Sequence, residues 1–205
     1  ALAYAEKLPL EECSVLANAA AAIVVAKVGT ETVSRSELSG GPKFRSEKIL
    51  EPGKIREVFD RERAAGRKVV FTNGVYDLFH TGHLSLLEFA RSCGDLLVVG
   101  INSDRSVKQS KGENRPILPE RERAGLLTAL SVVDYVVIFE EGTPLNVVRQ
   151  IQPDVLVKGE DYRGKKIVGR DIVEKRGGRV ELAPFVKGVS TTQIVNAVLG
   201  LGDQP

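Results

Sequence analysis

The sequence predicts an α/β fold, a mostly parallel sheet with helices on both faces, preceded by an N-terminal helical segment. Two observations carry this expectation. From Lys68 onward, short β-branched runs alternate with helical stretches, the pattern of strands joined by crossover helices. The chain also has 205 residues, 42% of them hydrophobic, which is enough to build one ample core and excludes a disordered chain.

The strand runs are Lys68–Thr72, Leu96–Ile101, Tyr135–Phe139, Val155–Lys158 and Val180–Ala183. Helical stretches fall at His83–Ser92, Glu120–Ala129, Pro144–Ile151, Lys166–Arg176 and Thr191–Leu199. A further helix, Ile55 to Ala65, precedes the first strand and is ended by Gly66. In sheets of this kind ligands sit beyond the carboxyl ends of the strands. Function is therefore sought in the residues just after each strand.

Upstream, Pro9–Val28 reads as one helix, dense in Ala and terminated by Gly29. From Val15 it is apolar on every face apart from Asn18, so it expects neighbours all round. It is either packed onto the domain that follows or the tail of a domain whose body is missing or is completed by another chain, and a homo-oligomer through this helix is the expected partner. Gly40, Gly41, Pro42, Pro52 and Gly53 with scattered charge give linker chemistry. The expected division is a remnant segment over 1–40, a linker over 41–54 and the main domain over 55–205.

The charge balance, 29 Lys and Arg against 27 Asp and Glu, leaves a formal net charge of +2. That argues against coating nucleic acid, which takes a concentrated basic excess. Cys13 and Cys93 form no disulfide framework and fit a reducing compartment. No apolar run approaches the ~20 residues of a membrane span, and Glu6, Lys7, Glu11 and Glu12 spoil a secretory signal. The expectation is a cytoplasmic protein with no membrane partner. The chain contains no Met and begins at Ala1, so it reads equally as a processed protein or as a piece of a longer one.

Both histidines fall in one turn after the first strand, Thr72-Asn73-Gly74-Val75-Tyr76-Asp77-Leu78-Phe79-His80-Thr81-Gly82-His83. A zinc site needs three or four ligands, and neither Cys nor carboxylate stands at ligand spacing here. Two idle surface histidines are the plain alternative. The chemical reading is a donor pair aimed at an anion at a helix N-terminus, with Gly74 and Gly82 allowing close approach to the backbone. No Gly-x-x-x-x-Gly-Lys-Ser/Thr loop is present, so a P-loop nucleotidase is not supported.

Thr72-Asn73-Gly74-Val75-Tyr76-Asp77 with His80-Thr81-Gly82-His83 closely resembles the signature of the HxGH nucleotidyltransferases, a Rossmann-like superfamily. Asn102-Ser103-Asp104, the loop Val107-Lys108-Gln109-Ser110-Lys111-Gly112, Lys158-Gly159-Glu160-Asp161 and the cap Ser190-Thr191-Thr192 agree with it. Over about Val69 to Leu199 the chain is similar to the D-glycero-β-D-manno-heptose 1-phosphate adenylyltransferase domain. In many Gram-negative bacteria that domain is the C-terminal half of a bifunctional heptose kinase/adenylyltransferase. Ala19–Val25, Lys27–Thr30 and Ser34–Leu38 resemble the end of a ribokinase-like sugar kinase, which would account for the apolar helix. One departure stands out. Cytidylyltransferases of the superfamily carry Arg-Thr-Glu-Gly before the final cap, and this chain has Val186-Lys187-Gly188, where Lys187 is the only cation to stand in.

The resemblance implies transfer of AMP from ATP to a sugar 1-phosphate, with Mg2+ bridging phosphate oxygens and no dedicated protein metal site. It implies catalytic roles for His80, His83 and Lys111. Nucleotide contacts would come from Phe71, Thr72, Asn73, Gly74, Gly82, Lys158, Gly159, Asp161, Ser190, Thr191 and Thr192. Lys158, Gly159 and Asp161 are expected near ribose and adenine. Asp77, Asn102, Asp104 and Arg123 are expected on the sugar phosphate side. Other HxGH transferases, acting on phospho-alcohols or pantetheine phosphate, remain open alternatives, as does a nucleotide-binding module without turnover. Residue physics alone does not separate adenine from cytosine.

Overall fold

The computed structural model describes residues 46–184 and 190–198. The expected helix Pro9–Val28, the proposed kinase remnant and Lys187 lie outside these residues.

Five strands form one sheet: β1 (Val69–Gly74), β2 (Leu96–Asn102), β3 (Tyr135–Phe139), β4 (Val155–Gly159) and β5 (Arg179–Ala183). Their order is β3-β2-β1-β4-β5 and every pairing is parallel. The helices are α1 (Ile55–Ala64), α2 (Thr81–Ser92), α3 (Asp104–Lys111), α4 (Glu120–Ala129), α5 (Leu145–Ile151), α6 (Arg170–Lys175) and α7 (Thr191–Val198). The α/β expectation is met, with each strand within two residues of its anticipated bounds.

Two cores cover the sheet, as parallel strands require. Val69, Phe71, Val98, Val137 and Leu156 point to one face, where they pack with Phe59 of α1, Val147, Val148 and Ile151 of α5 and Val173 of α6. Val70, Val99, Val136, Val155 and Val157 point to the other, against Leu87 and Ala90 of α2 and Ala124 and Leu127 of α4. At the amino ends of the strands, carboxylates hold the first amides: Asp95 accepts from Lys68 N, Asp154 from Val69 N and Asp134 from Leu97 N, each at 2.8 Å. The opposite ends are thereby left for function.

Three sequence expectations change. The segment from Ser46 to Lys54 is packed chain, not free linker: Ile49 bridges Val136 on the outer edge of β3, Leu50 is buried, and Lys48 Nζ donates to Val133 O at 2.5 Å. Pairing there covers part of an open sheet edge. The expected helix Lys166–Arg176 is cut to α6, because Gly169 takes φ +91° immediately before it. The expected loop over Val107–Gly112 is instead the end of α3, whose start is capped by Ser103 Oγ accepting from Ser106 N.

Candidate active site

The strand order reverses between β1 and β4, since the chain steps outward through β2 and β3 and then returns to the far side of β1. Such a switch point opens a crevice at the carboxyl ends of the two strands. The crevice is present here, built on Gly74 at the end of β1 and Gly159 at the end of β4. A Cβ on Gly159 would lie 2.4 Å from Asp161 Oδ1, so the Asp161 carboxylate packs directly against the glycine.

Three adjoining cavities of about 490, 460 and 400 Å3 occupy this end of the sheet, and all three are walled by His83 and Lys111. The first reaches Asn73, Asn102, Lys158, Tyr162 and Lys166. The second reaches Arg115, Thr191 and Thr192. The third reaches His80, Gly82, Asp161, Ser190, Thr191 and Thr192.

His80 is the N-cap of α2, its backbone extended and its Nδ1 accepting from His83 N at 3.4 Å. That acceptor role leaves the proton of the neutral ring on Nε2. His83 lies in the first turn of α2, between the rings of Tyr76 and Phe79. Burial, with the nearby His80 and Lys111 as lesser causes, pushes its pKa down to about 4, against a weak opposing pull from Asp77. Burial also lowers that of His80. Both imidazoles are neutral near pH 7 and act as N–H donors without charge. Lys111, the last residue of α3, supplies the cation.

The turn between β1 and α2 is strained and tightly held. Tyr76 and Leu78 adopt φ +54° and +47°, a left-handed conformation costly for bulky residues. Tyr76 is buried, and burial pushes its phenol pKa well above the ordinary value. Asp77 accepts from the amides of Ile117 and Leu118 and from Arg115 Nη1 at 3.0 Å. Burial opposes its ionisation, but these bonds outweigh it and hold its pKa below the usual carboxylate value. Thr191 Oγ1 donates to Asp77 O at 2.8 Å, tying the start of α7 to the same turn.

Several expected ligand contacts sit elsewhere. Arg123 is wholly buried, donating to Leu118 O, Val75 O, Asn102 O and Asp104 Oδ1. Its guanidinium ties these segments together and lines none of the three cavities. Asp104 is its ion partner at 2.8 Å, whereas Asn102 lines the first cavity and Asp77, though hydrogen-bonded as described, lines the second, so two of the four residues expected at the sugar phosphate reach the cavities. Phe71 is fully buried with its ring beneath Gly100, and Thr72 is enclosed beside Tyr76, so neither side chain reaches the crevice. Asn73, Gly74, Gly82, Lys158, Gly159, Asp161, Ser190, Thr191 and Thr192 are brought together with His80, His83 and Lys111. Lys166 and the Gly142-Thr143-Pro144 turn after β3, neither of them a site candidate in the sequence, also line the first cavity, beside Tyr162 of the Lys158–Tyr162 segment. The rule that ligands sit beyond strand ends would have found the turn.

Among the described residues no group of three His, Cys, Asp or Glu side chains could hold a metal ion, and none of their helices is long and apolar enough to cross a membrane. The crevice instead presents N–H donors and cations, from imidazoles, a lysine and the amino end of α7, which together suit a polyphosphate. A crevice walled by paired imidazoles and a lysine at the switch point of a parallel sheet is the setting of a nucleotide-binding α/β enzyme, and the comparisons with known proteins place it among the nucleotidyltransferases.

The chain belongs to the cytidylyltransferase-like family, whose model matches residues 71–197. The bifunctional protein HldE of Syntrophotalea carbinolica is 48% identical over 207 residues, a match covering 99% of this chain and 42% of that protein. The protein of the same name from Trichlorobacter lovleyi is 50% identical over 196 residues, covering 94% and 40%. The chain thus spans about two fifths of the length of these curated relatives. A crystal structure of the lipopolysaccharide core biosynthesis protein from Thermoplasma volcanium GSS1 covers 60% of this chain and 100% of that one, at 30% identity and a TM-score of 0.49.

Proposed function

We propose that the chain transfers AMP from ATP to D-glycero-β-D-manno-heptose 1-phosphate, releasing pyrophosphate and forming ADP-heptose. The observation that carries the reading is the meeting of three cavities at His83 and Lys111, which offers separate room for nucleoside, pyrophosphate and acceptor around one reacting centre. The acceptor phosphate is already an anion near neutral pH, so the protein has no proton to abstract. One P–O bond forms between the sugar phosphate oxygen and the α-phosphorus, and the bond to the pyrophosphate oxygen breaks.

What remains for the protein is positioning and charge stabilisation. His80 and His83 donate to phosphoryl oxygens, Lys111 neutralises the triphosphate, and Ser190, Thr191 and Thr192 offer the hydroxyls and amides of the α7 cap. Mg2+ carried by the triphosphate would supply further charge neutralisation there, and Asp161 is the carboxylate in the same crevice that would face it. Residues 1–40 are proposed as the end of a ribokinase-like sugar kinase domain, matching the bifunctional relatives, and their apolar helix as the contact of a homo-oligomer. The test is pyrophosphate release with ATP, Mg2+ and the β-anomer, run beside CTP and the α-anomer. Release with ATP and the β-anomer alone is expected. Equal release with CTP, or none with any pair, overturns the reading.

A further inference from the structure

We infer that Lys158 is a positioning residue that fixes the carboxamide of Asn73 with its NH2 toward the cleft, where Asn73 donates to a phosphoryl oxygen of the bound nucleotide. The inference rests on the nucleotidyl-transfer reading and gives Lys158 a different task from the ribose and adenine contact its place in the sequence suggests.

Lys158 and Asn73 are the next-to-last residues of β4 and β1, so the pair spans the switch point itself. Lys158 is 6% exposed. Its Nζ donates to Asn73 Oδ1 at 2.6 Å and to Asn73 O at 3.1 Å. Its remaining side faces the ring of Tyr162, 4.9 Å from the centroid. The ammonium is therefore enclosed by protein groups and does not have to reach a ligand to be satisfied.

An ammonium donates and cannot accept, which settles the orientation of the amide: Oδ1 faces Lys158 and Nδ2 faces away. Among the described residues Nδ2 has no acceptor, and Asn73 lines the cavity that His83 and Lys111 also line. Two free N–H bonds on a cavity that Lys111, Lys158, Lys166 and His83 wall, against the single carboxylate of Asp161, suit an acceptor-only, anionic partner. A phosphoryl oxygen meets that requirement. A donor whose orientation is locked from behind needs no reorganisation as charge builds on that oxygen, which is how a neutral amide comes to matter in a transition state. Asp161 in the turn after β4 also favours the charged form of Lys158, while Lys165 Nζ lies 5.8 Å from the Tyr162 ring centroid and His83 lines the same cavity.

The test uses the full chain with MgATP as probe and three variants, N73D, N73A and K158M. Asn73→Asp keeps an oxygen for Lys158 and replaces the NH2 by a second oxygen, so it should fold at least as stably as the parent. Its kcat should nonetheless fall roughly 10²–10³-fold, with a much smaller change in the KM for ATP. In the parent, the side-chain 15N–1H signals of Asn73 should shift when MgATP is added. In Lys158→Met they should broaden between two amide orientations and respond weakly. A fully active N73D, or Asn73 signals that ignore MgATP in the parent, overturns the inference. Signals that shift in a parent protein that releases no pyrophosphate with any sugar phosphate support it and count against the proposed acceptor alone.

Discussion

The imidazoles of His80 and His83 lie stacked, their centroids 3.8 Å apart and their planes at 20°. Two cations cannot share that geometry cheaply, and the site avoids the conflict by keeping both rings neutral. Burial is the main cause of the His83 pKa of about 4, and His80 and Lys111 add to it. His83 Nδ1 is buried without a partner. A triphosphate in the crevice reverses this balance, because its negative charge favours the protonated ring. ATP binding between pH 5 and 6 should therefore take up a proton, and calorimetry in buffers of different ionisation enthalpy measures it. His83→Gln should abolish the uptake, and zero uptake in the parent counts against phosphate binding beside His83.

The same shift sets acid stability. The folded pKa of His83 lies below the ordinary 6.5, so the unfolded chain binds more protons between the two values. The stability contributed by neutral His83 is fully present above about pH 6.5 and is lost as pH falls toward 4. Thermal melts of the ligand-free protein should show a slope in this window that His83→Gln flattens.

Removing either ring should lower kcat by roughly 10²–10³-fold, the usual cost of one oriented transition-state donor. His80→Ala also removes the cap on His83 N, so some loss of stability accompanies it. Lys111→Ala should lower rate and nucleotide affinity together, since the lysine walls all three cavities. Steady-state kinetics with each substrate varied in turn distinguish the two patterns. Wild-type turnover in both histidine variants, or a Lys111 effect confined to the acceptor KM, sinks these assignments.

Arg123 makes the opposite prediction. Its guanidinium holds the carbonyls of Val75, Leu118 and Asn102 together with Asp104, and no solvent reaches it. Arg123→Ala leaves those acceptors unpaired around a cavity and should cost about 3–5 kcal/mol of stability. Arg123→Lys recovers only part, because an ammonium cannot reproduce the fork. Chemical denaturation measures both. A stable Arg123→Ala protein with a raised KM for sugar phosphate alone would return the residue to the acceptor side.

Much of this was legible in the sequence, and the reasons are local. Strand runs such as Tyr135–Phe139 and the helix Glu120–Ala129 match residue for residue, because a β-branched run and a stretch of strong helix formers opened by Pro119 and an acidic first turn carry their own signal. The crevice residues His80, His83, Lys111, Lys158 and Ser190–Thr192 were placed by a motif and by strand ends. What the sequence hides is which polar groups are already engaged. Asp104 and Arg123 look like ligand contacts in the sequence, yet folding pairs them with each other and gives the rest of the guanidinium to backbone carbonyls, while Asp77 holds backbone amides from the wall of the second cavity. Helix α3 was missed because Asp104–Lys111 is polar and short, and its Ser103 cap is recognisable only once the chain after β2 is known to turn there.

Lys158 brings stability and activity into conflict along the pH axis. Burial lowers its pKa to about 8, against the pull of Asp161 in the other direction. Because the folded value lies below the ordinary 10.5, the unfolded chain binds more protons between these two pH values, and folding stability should rise as pH climbs from about 8 to 10.5. Activity should move the other way. Loss of the ammonium removes a positive charge behind the phosphates and loosens its hold on Asn73 Oδ1. The kcat/KM for ATP, which reports free-enzyme ionisations, should therefore fall above about pH 8 while the melting temperature climbs. In Lys158→Met both slopes should vanish together. An alkaline limb that survives in Lys158→Met belongs to another group, and a parent whose melting temperature falls over the same interval has its lysine charged in the folded state throughout.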